Sequence, residues 1–265
     1  MLSKTVLAEG PGFAVVDVRC TCGREGWSPP EQSTGYALVF VRSGCFRRMC
    51  DGVESLLDST AAYFESPGHE QQVAHPHDGG DRCTAIELEA DFLLRLFADE
   101  PTVTPHPVFT TAFEDLAHRR LLAAADEHEI EEHVIALVAA VVRRIAVPRP
   151  ALGRTATTAL RRRIVDAARE CLAADPRLSL VALAQRLAIS PHHLSRVFAA
   201  ETGETLSRYR NRLRARIALE RLADGEPSLA RIAADLGFAD HAHLTRVVRA
   251  EAGAPPSRLR AQLVR

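Results

Sequence analysis

Five of the six cysteines in this chain fall within its first 83 residues: Cys20, Cys22, Cys45, Cys50 and Cys83. His69, His75 and His77 lie in the same stretch. Thiolates and imidazoles are the ligands that zinc and other thiophilic metals take, and thiolates are also the side chains most open to oxidation. None of the spacings is that of a zinc finger or ribbon. Cys20-x-Cys22 puts both sulfurs on one face if a strand runs through them. Cys45 and Cys50 are an odd number apart and would point to opposite faces of a regular strand. Three readings stay open. The cysteines are small buried hydrophobes; or they hold zinc or another thiophilic metal through Cys20, His75 and Cys83, with Cys22, Cys50 or Glu31 as further ligands; or they are reactive thiols that sense an oxidant, an electrophile or a metal. Cys20 and Cys83 lead the set because each ends or begins a strand beside a polar turn. Clustered cysteines in a reduced compartment point to such chemistry rather than to structural disulfides.

A second group of residues could bond to base edges. Part of the chain is written twice: LVALAQRLAISPHHLSRVFAAETG at residues 180–203 and LARIAADLGFADHAHLTRVVRAEAG at residues 229–253. Leu183, Ala184, Leu187 and Ile189 match Ile232, Ala233, Leu236 and Phe238 at an offset of 49. Leu194, Arg196, Glu201 and Gly203 match Leu244, Arg246, Glu251 and Gly253 at an offset of 50. The one-residue slip falls where a turn belongs. Each copy predicts a short helix, a tight turn and a second helix, with Ser190 and Asp240 as N-caps, Pro191 at a first helical position and Gly237 in a turn with positive φ. That is the shape that enters a DNA major groove. Opposite the buried stripes, the groove-facing positions are Pro191, His192, Ser195 and Arg196 in one copy and His241, Ala242, His243, Thr245 and Arg246 in the other.

The stretch IAADLGFADHAHLTRVVRAEAGAPPSRLR, from Ile232 to Arg260, closely resembles the signature of AraC/XylS-type transcription regulators. It has the Ile-Ala start, the Gly-Phe turn, the Leu-x-Arg helix, the late Gly and the Pro before a final Arg. Val248 and Arg249 stand where members usually carry Phe and Lys. The resemblance covers roughly residues 155–263. It implies base contacts at His192, Ser195, Arg196, His241, Ala242, His243, Thr245 and Arg246. Arg can bond guanine N7 and O6 together, Ser and Thr donate or accept, and Ala packs on a thymine methyl. Arg208, Arg210, Arg212 and Arg214, near or on the helix joining the two copies, are expected on phosphates or acidic side chains.

Composition agrees. The net charge of −1 hides a division: residues 155–265 hold 19 Arg and no Lys against 11 acidic residues, a net +8. Residues 1–154 hold 14 basic against 23 acidic residues, a net −9. A basic half with helix-turn-helix patterns fits a polyanion. No apolar run nears the length of a membrane span, and the first residues do not read as a secretory signal, so a cytoplasmic protein is expected.

Upstream, FAVVDVRC, YALVFVR, CFRRMC, VESLLD, AAYFES and CTAIELE read as six short strands in residues 13–89, with Ser43-Gly44 and Asp51-Gly52 as turns. The order, with Pro67-Gly68-His69 and a later His75, resembles the cupin-type sensor domain of many AraC-family regulators. Cupin enzymes usually hold a metal through a His-x-His pair; the corresponding stretch SPPEQSTGY, residues 28–36, has Glu31 and no His, which favours a sensing pocket over an oxygenase. Residues 106–147 predict two helices. The stripe Ile130, Val134, Leu137, Val138, Val141 and Ile145 has coiled-coil-like spacing suited to a subunit interface or to covering the sensor sheet.

The expected organisation is thus α+β in two domains. A cupin-like β-barrel sensor spans 1–105 with a helical dimerisation pair at 106–147; a linker follows at 148–154, then an all-α domain with two helix-turn-helix units at 155–265. The function implied is a one-component transcription regulator and not an enzyme. Its partners would be double-stranded promoter DNA, a small-molecule or metal effector, a second copy of the chain and, if it activates, RNA polymerase. The alternative is a cupin-type metal-dependent enzyme fused to a DNA-binding module.

Overall fold

The structure, a computed structural model, describes residues 2–21, 23, 26–97, 104–145 and 156–263. The linker expected at 148–154 lies outside them. Two compact units form, one of residues 1–148 with 257–265 and the other of residues 149–256.

The first unit is an antiparallel sheet structure with three helices. Its strands are β1 (Leu2–Gly10), β2 (Phe13–Cys20), β3 (Glu31–Gln32), β4 (Tyr36–Cys50), β5 (Val53–Asp58), β6 (Ala61–Glu65), β7 (Glu70–Ala74), β8 (Asp81–Leu88) and β9 (Val108–Phe109). The main path runs β1-β2-β8-β4-β6-β9, while β5 and β7 flank the second half of β4, with β3 on β7. The closed cupin-like barrel expected from the sequence is not what forms. The path ends at β1 and β9, which do not pair, and β1 is an edge strand with no buried residue. That lack of a buried stripe is also why β1 carries no clear strand signal in the sequence.

Ser43-Gly44 does not reverse the chain as expected. YALVFVR and CFRRMC are one continuous 15-residue strand, β4, with a register shift between Val41 and Ser43. Gly44 has φ +78°, and a Cβ there would stand 2.3 Å from the Gly80 carbonyl oxygen. The glycine therefore serves a bulge and a close backbone approach. Asp51-Gly52 does turn the chain, with φ 47° and 77°, the two positive values of a type I′ hairpin.

Strand alternation divides the core. Val16, Val39, Val41, Tyr63, Cys83 and Ala85 of the main path face Phe46 and Leu57 of the second layer. On the opposite face, Val15, Leu38, Phe40 and Ile86 pack with helices α1 (Ala90–Phe97), α2 (Ala112–Ala123) and α3 (Glu127–Ile145). Thr111 and Glu114 form a capping box at α2, and Arg144 of α3 donates two bonds, 2.6 and 2.8 Å, to the buried Glu114 carboxylate. Within residues 106–147, expected to form two helices, two details stand out. Phe109 belongs to β9, and Phe113 is 67% exposed.

Of the two roles expected for the stripe of α3, covering the sheet is the one seen. Ile130, Val134, Leu137, Val138, Val141 and Ile145 are all buried in one cluster with the sheet residues. Their apolar surface is used within the chain, so this stripe is not available as a subunit interface. Leu137→Ala should therefore cost about 2–5 kcal/mol of stability, as truncations in a packed core do. Urea unfolding followed at several protein concentrations checks this. A midpoint that rises with concentration in the wild-type chain and not in the variant would place the stripe between subunits.

The second unit is helical: α4 (Ala156–Ala174), α5 (Leu180–Arg186), α6 (Pro191–Thr202), α7 (Leu206–Ala223), α8 (Leu229–Asp235) and α9 (His241–Ala252), followed by α10 (Pro256–Leu263). Among these, α7 is an 18-residue rod of about 27 Å between the two short helix pairs.

Candidate functional site

The two helix pairs α5–α6 and α8–α9 are built by the same local rules. Ser190 accepts from the His193 amide at 3.1 Å and Pro191 opens α6; Asp240 accepts from the His243 amide at 2.6 Å and opens α9. Both helices end at a left-handed glycine, Gly203 with φ 76° and Gly253 with φ 74°. The inter-helix turns match too: Gly237 has φ 71°, and Ala188, its counterpart at offset 49, has φ 54°. At Gly237 a Cβ would meet Arg177 at 3.0–3.2 Å, so glycine answers both the backbone and the neighbour. Alanine accepts the same backbone in the first copy at a local cost.

The buried stripes of α6 and α9 are Leu194, Val197 and Phe198, and Leu244 and Val248. Away from them, His192, Arg196, His241, Ala242 and Arg246 are exposed, and Pro191, Ser195, His243 and Thr245 are half-buried. Among the described residues neither Arg196 nor Arg246 forms an ion pair. The Arg196 guanidinium lies 3.5 Å from His193 Nδ1. Thr245 Oγ1 donates to the His241 carbonyl at 2.8 Å, leaving its lone pairs to accept. His243 is turned toward its own turn: Nδ1 accepts from the Ala239 amide at 3.4 Å, and the ring stands edge-on to Phe238. Its geometry is that of a strut for the turn. The His243 amide bond holds the Asp240 carboxyl below the usual aspartate range. The cap's contribution is therefore complete above about pH 3.9, the ordinary aspartate value, and is lost as pH falls through the lower folded value. Asp240→Asn, which keeps the acceptor oxygen, should flatten that part of the acid unfolding curve.

Three of the four arginines expected on phosphates or acidic side chains are committed inside the unit. Arg210 donates to the Leu178 carbonyl at 3.0 Å, and Arg212 pairs with Glu204. Arg214, almost fully buried, donates to the Pro176 carbonyl at 2.7 Å and the Gly237 carbonyl at 3.0 Å and lies over the Phe238 ring. Burial, then the charge of Arg210, pushes its pKa down to about 10. Arg212 thus meets the acidic partner expected of it, Arg210 and Arg214 bond carbonyls instead, and Arg208 alone is exposed. Arg214 fastens the loop before α5 to the turn between α8 and α9. Arg214→Met should cost about 2–4 kcal/mol in urea unfolding, since it removes two bonds from a charged donor and leaves carbonyls unpaired. A cost within experimental error would show that the contacts are dispensable.

In the first unit the structure brings two of the residues that the sequence singles out, Cys20 and His75, into one group with Asp81. β2 ends at Cys20 and β8 begins at Asp81, and the antiparallel register pairs these two. Cys83 is two residues along β8, on the same face. His75 follows the end of β7 from the other layer. Ligand atoms of Cys20, His75 and Asp81 lie within 4.8 Å of one another. His75 Nε2 is 2.5 Å from Asp81 Oδ1, and the Cys83 thiol donates to Asp81 Oδ2 at 3.2 Å. All four side chains are buried. Gly80 makes the crossing possible: a Cβ on it would be 1.8 Å from the Cys20 carbonyl oxygen. Burial, then the Asp81 charge and hydrogen bond, raises the Cys83 thiol well above its ordinary value. That disfavours the thiolate, and with it the reactive-thiol reading at this residue.

The further candidates fare differently. Cys50 belongs to a second, looser group with Asp51 and His69: its sulfur is 3.8 Å from His69 Nδ1. Glu31, exposed on β3 opposite Gln71, is in neither group, and His77 joins neither among the described residues. Cys22 lies outside the described residues. Asp81 is the member that sequence reading missed. Its signal was its place two residues before Cys83, which period-two alternation puts on the same face.

Residues 183–262 match the family model for a helix-turn-helix domain. An HTH-type transcriptional regulator of Mycobacterium tuberculosis is 37% identical over 78 residues, 29% of this chain. The matched segment spans 30% of that curated relative's length. Among solved structures, ToxT from Vibrio cholerae aligns over 97% of this chain and 99% of its own at 11% identity and a TM-score of 0.41. A regulator with an AraC-type DNA-binding domain from Chromobacterium violaceum aligns over 39% of this chain and 95% of its own, at 25% identity and a TM-score of 0.37. No described helix is long and apolar enough to cross a membrane. The repeated helix pairs and the family match agree, and the C-terminal part of this chain carries a helix-turn-helix domain of the AraC type.

Proposed function

We propose that the chain is a DNA-binding transcription regulator in which α5–α6 and α8–α9 act as two helix-turn-helix units, with signal reception in the N-terminal unit. The observation that carries this reading is the equivalent exposure of Arg196 and Arg246. Each stands at the same phase of a second helix, opposite its buried stripe, and neither forms an ion pair among the described residues. The +8 charge of residues 155–265 supports a polyanionic partner. So does the length of α7, which with the width of the helix pairs approaches one DNA turn of about 34 Å.

In this reading α6 and α9 enter successive major grooves. His192, Ser195 and Arg196 read bases in one, and His241, Ala242, Thr245 and Arg246 in the other. His243 supports the turn instead of reading a base. Arg208 is the one arginine of the connecting region left for a phosphate. A single chain then offers two reading helices, and pairing of chains would add half-sites through a surface other than the inner stripe of α3. Catalysis has no part in this account.

Full-length protein should bind duplex fragments of its own upstream region with an affinity that falls steeply as salt rises. Arg196→Ala and Arg246→Ala should each weaken specific binding by about 1–3 kcal/mol, with a smaller loss on scrambled DNA. Fluorescence anisotropy with competitor DNA measures both. Equal losses on specific and scrambled DNA would reduce these arginines to phosphate contacts. A folded chain that binds no duplex at low salt would remove the function.

A further inference from the structure

DNA binding leaves one buried constellation unused, where β2, β7 and β8 meet. The geometry points to a site for one thiophilic divalent cation of the zinc class, held by Cys20, His75, Asp81 and Cys83. Two sulfurs, one imidazole nitrogen and one carboxylate oxygen make a donor set that zinc accepts, whereas magnesium and calcium require oxygen.

Spacing supports the assignment. Around a tetrahedral ion with bonds of about 2.0–2.3 Å, donors stand roughly 3.3–3.8 Å apart. The donors of Cys20, His75 and Asp81 already lie within 4.8 Å of one another, and Cys83 Sγ is 3.2 Å from Asp81 Oδ2. Cys83 stands outside that three-donor group and touches it only through Asp81, so its sulfur must swing toward the other donors to close the shell. The backbone is held by the Cys20–Asp81 register and by the close approaches at Gly44 and Gly80.

Electrostatics supports it as well. Asp81 has a side chain only 7% exposed, and the hydrogen bonds it accepts come from an imidazole and a thiol. A buried carboxylate is stable beside a positive charge, and a divalent cation supplies one. A thiol that coordinates such an ion does so as the thiolate, its proton leaving to solvent. Both sulfurs would bind in this way, and the imidazole of His75 would bind through an unprotonated nitrogen. Two thiolates and a carboxylate against a doubly charged ion leave one net negative charge. The Arg42 guanidinium already acts electrostatically on Cys83. No oxidant or reductant is needed. Only the step from this ion to promoter binding rests on the regulatory reading.

The test uses full-length protein in metal-free, non-chelating buffer titrated with Co(II). One Co(II) per chain is expected, with the visible absorption of a tetrahedral thiolate site, displaced by Zn(II). Cys20→Ser and Cys83→Ser should each weaken binding by roughly 100-fold or more, while Cys171→Ser, in the other unit, should not. If the serine variants fail to fold, X-ray absorption of the zinc-loaded wild-type chain decides, since two sulfur neighbours at about 2.3 Å are expected. Failure of the wild-type chain to take up Co(II), a zinc shell without sulfur, or unchanged binding in both folded variants would overturn the site. Binding to an upstream DNA fragment is measured with and without Zn(II) in parallel. Metal uptake without any DNA binding would leave the site standing and defeat the regulatory reading instead.

Discussion

The N-terminal unit depends on one strand belonging to two layers. Residues 36–44 of β4 pair with β8, and residues 45–50 pair with β5 and β7. A regular strand could not change layers while keeping both ladders, because its side chains would fall out of phase with one sheet. The bulge at Ser43-Gly44 absorbs the mismatch, and Gly44 has no side chain to collide with Gly80. The inter-sheet core of Val39, Val41, Phe46 and Tyr63 follows from that crossing. So does the meeting of Cys20, His75, Asp81 and Cys83, since β8 begins at the bulge and β7 leaves the second layer beside it.

The C-terminal unit rests on a different device. Its two helix pairs are each locally capped, but capping alone leaves them free of one another. Arg214 ties the Pro176 loop to the Gly237 turn through backbone carbonyls, and its guanidinium lies over Phe238. A buried arginine is costly unless its donors are met, and here protein carbonyls meet them. The same economy explains why the arginines of α7 do not simply add to a DNA-facing surface. Arg210, Arg212 and Arg214 hold the unit together, and the exposed positive charge at α6 and α9 comes from Arg196, Arg246 and Arg249.

What the sequence by itself determined is local. Ser190, Pro191, Asp240, Gly203 and Gly253 act through neighbours within a turn of themselves, so the boundaries of α6 and α9 could be read directly, and the repeat carried the helix-turn-helix assignment with them. The Asp51-Gly52 hairpin was legible for the same reason. Of Cys20, His75 and Cys83, chosen for donor chemistry and strand ends, the fold sets Cys20 and His75 in one group with Asp81, and Cys83 against Asp81 alone. Tertiary structure decided whatever depends on a distant partner. Ser43-Gly44 has the composition of a turn, and only the Gly80 backbone on β8 makes it a bulge. The α3 stripe has the spacing of a subunit interface, but the apolar face of the sheet was there to bury it first. Asp81 becomes a site residue because register places it opposite Cys20. Arg214 and His243 look like solvent-facing or DNA-facing residues until Gly237 and Phe238 are packed beside them. Periodicity and capping are encoded over a few residues, whereas the partner of a buried charge or an apolar stripe is chosen by the whole fold.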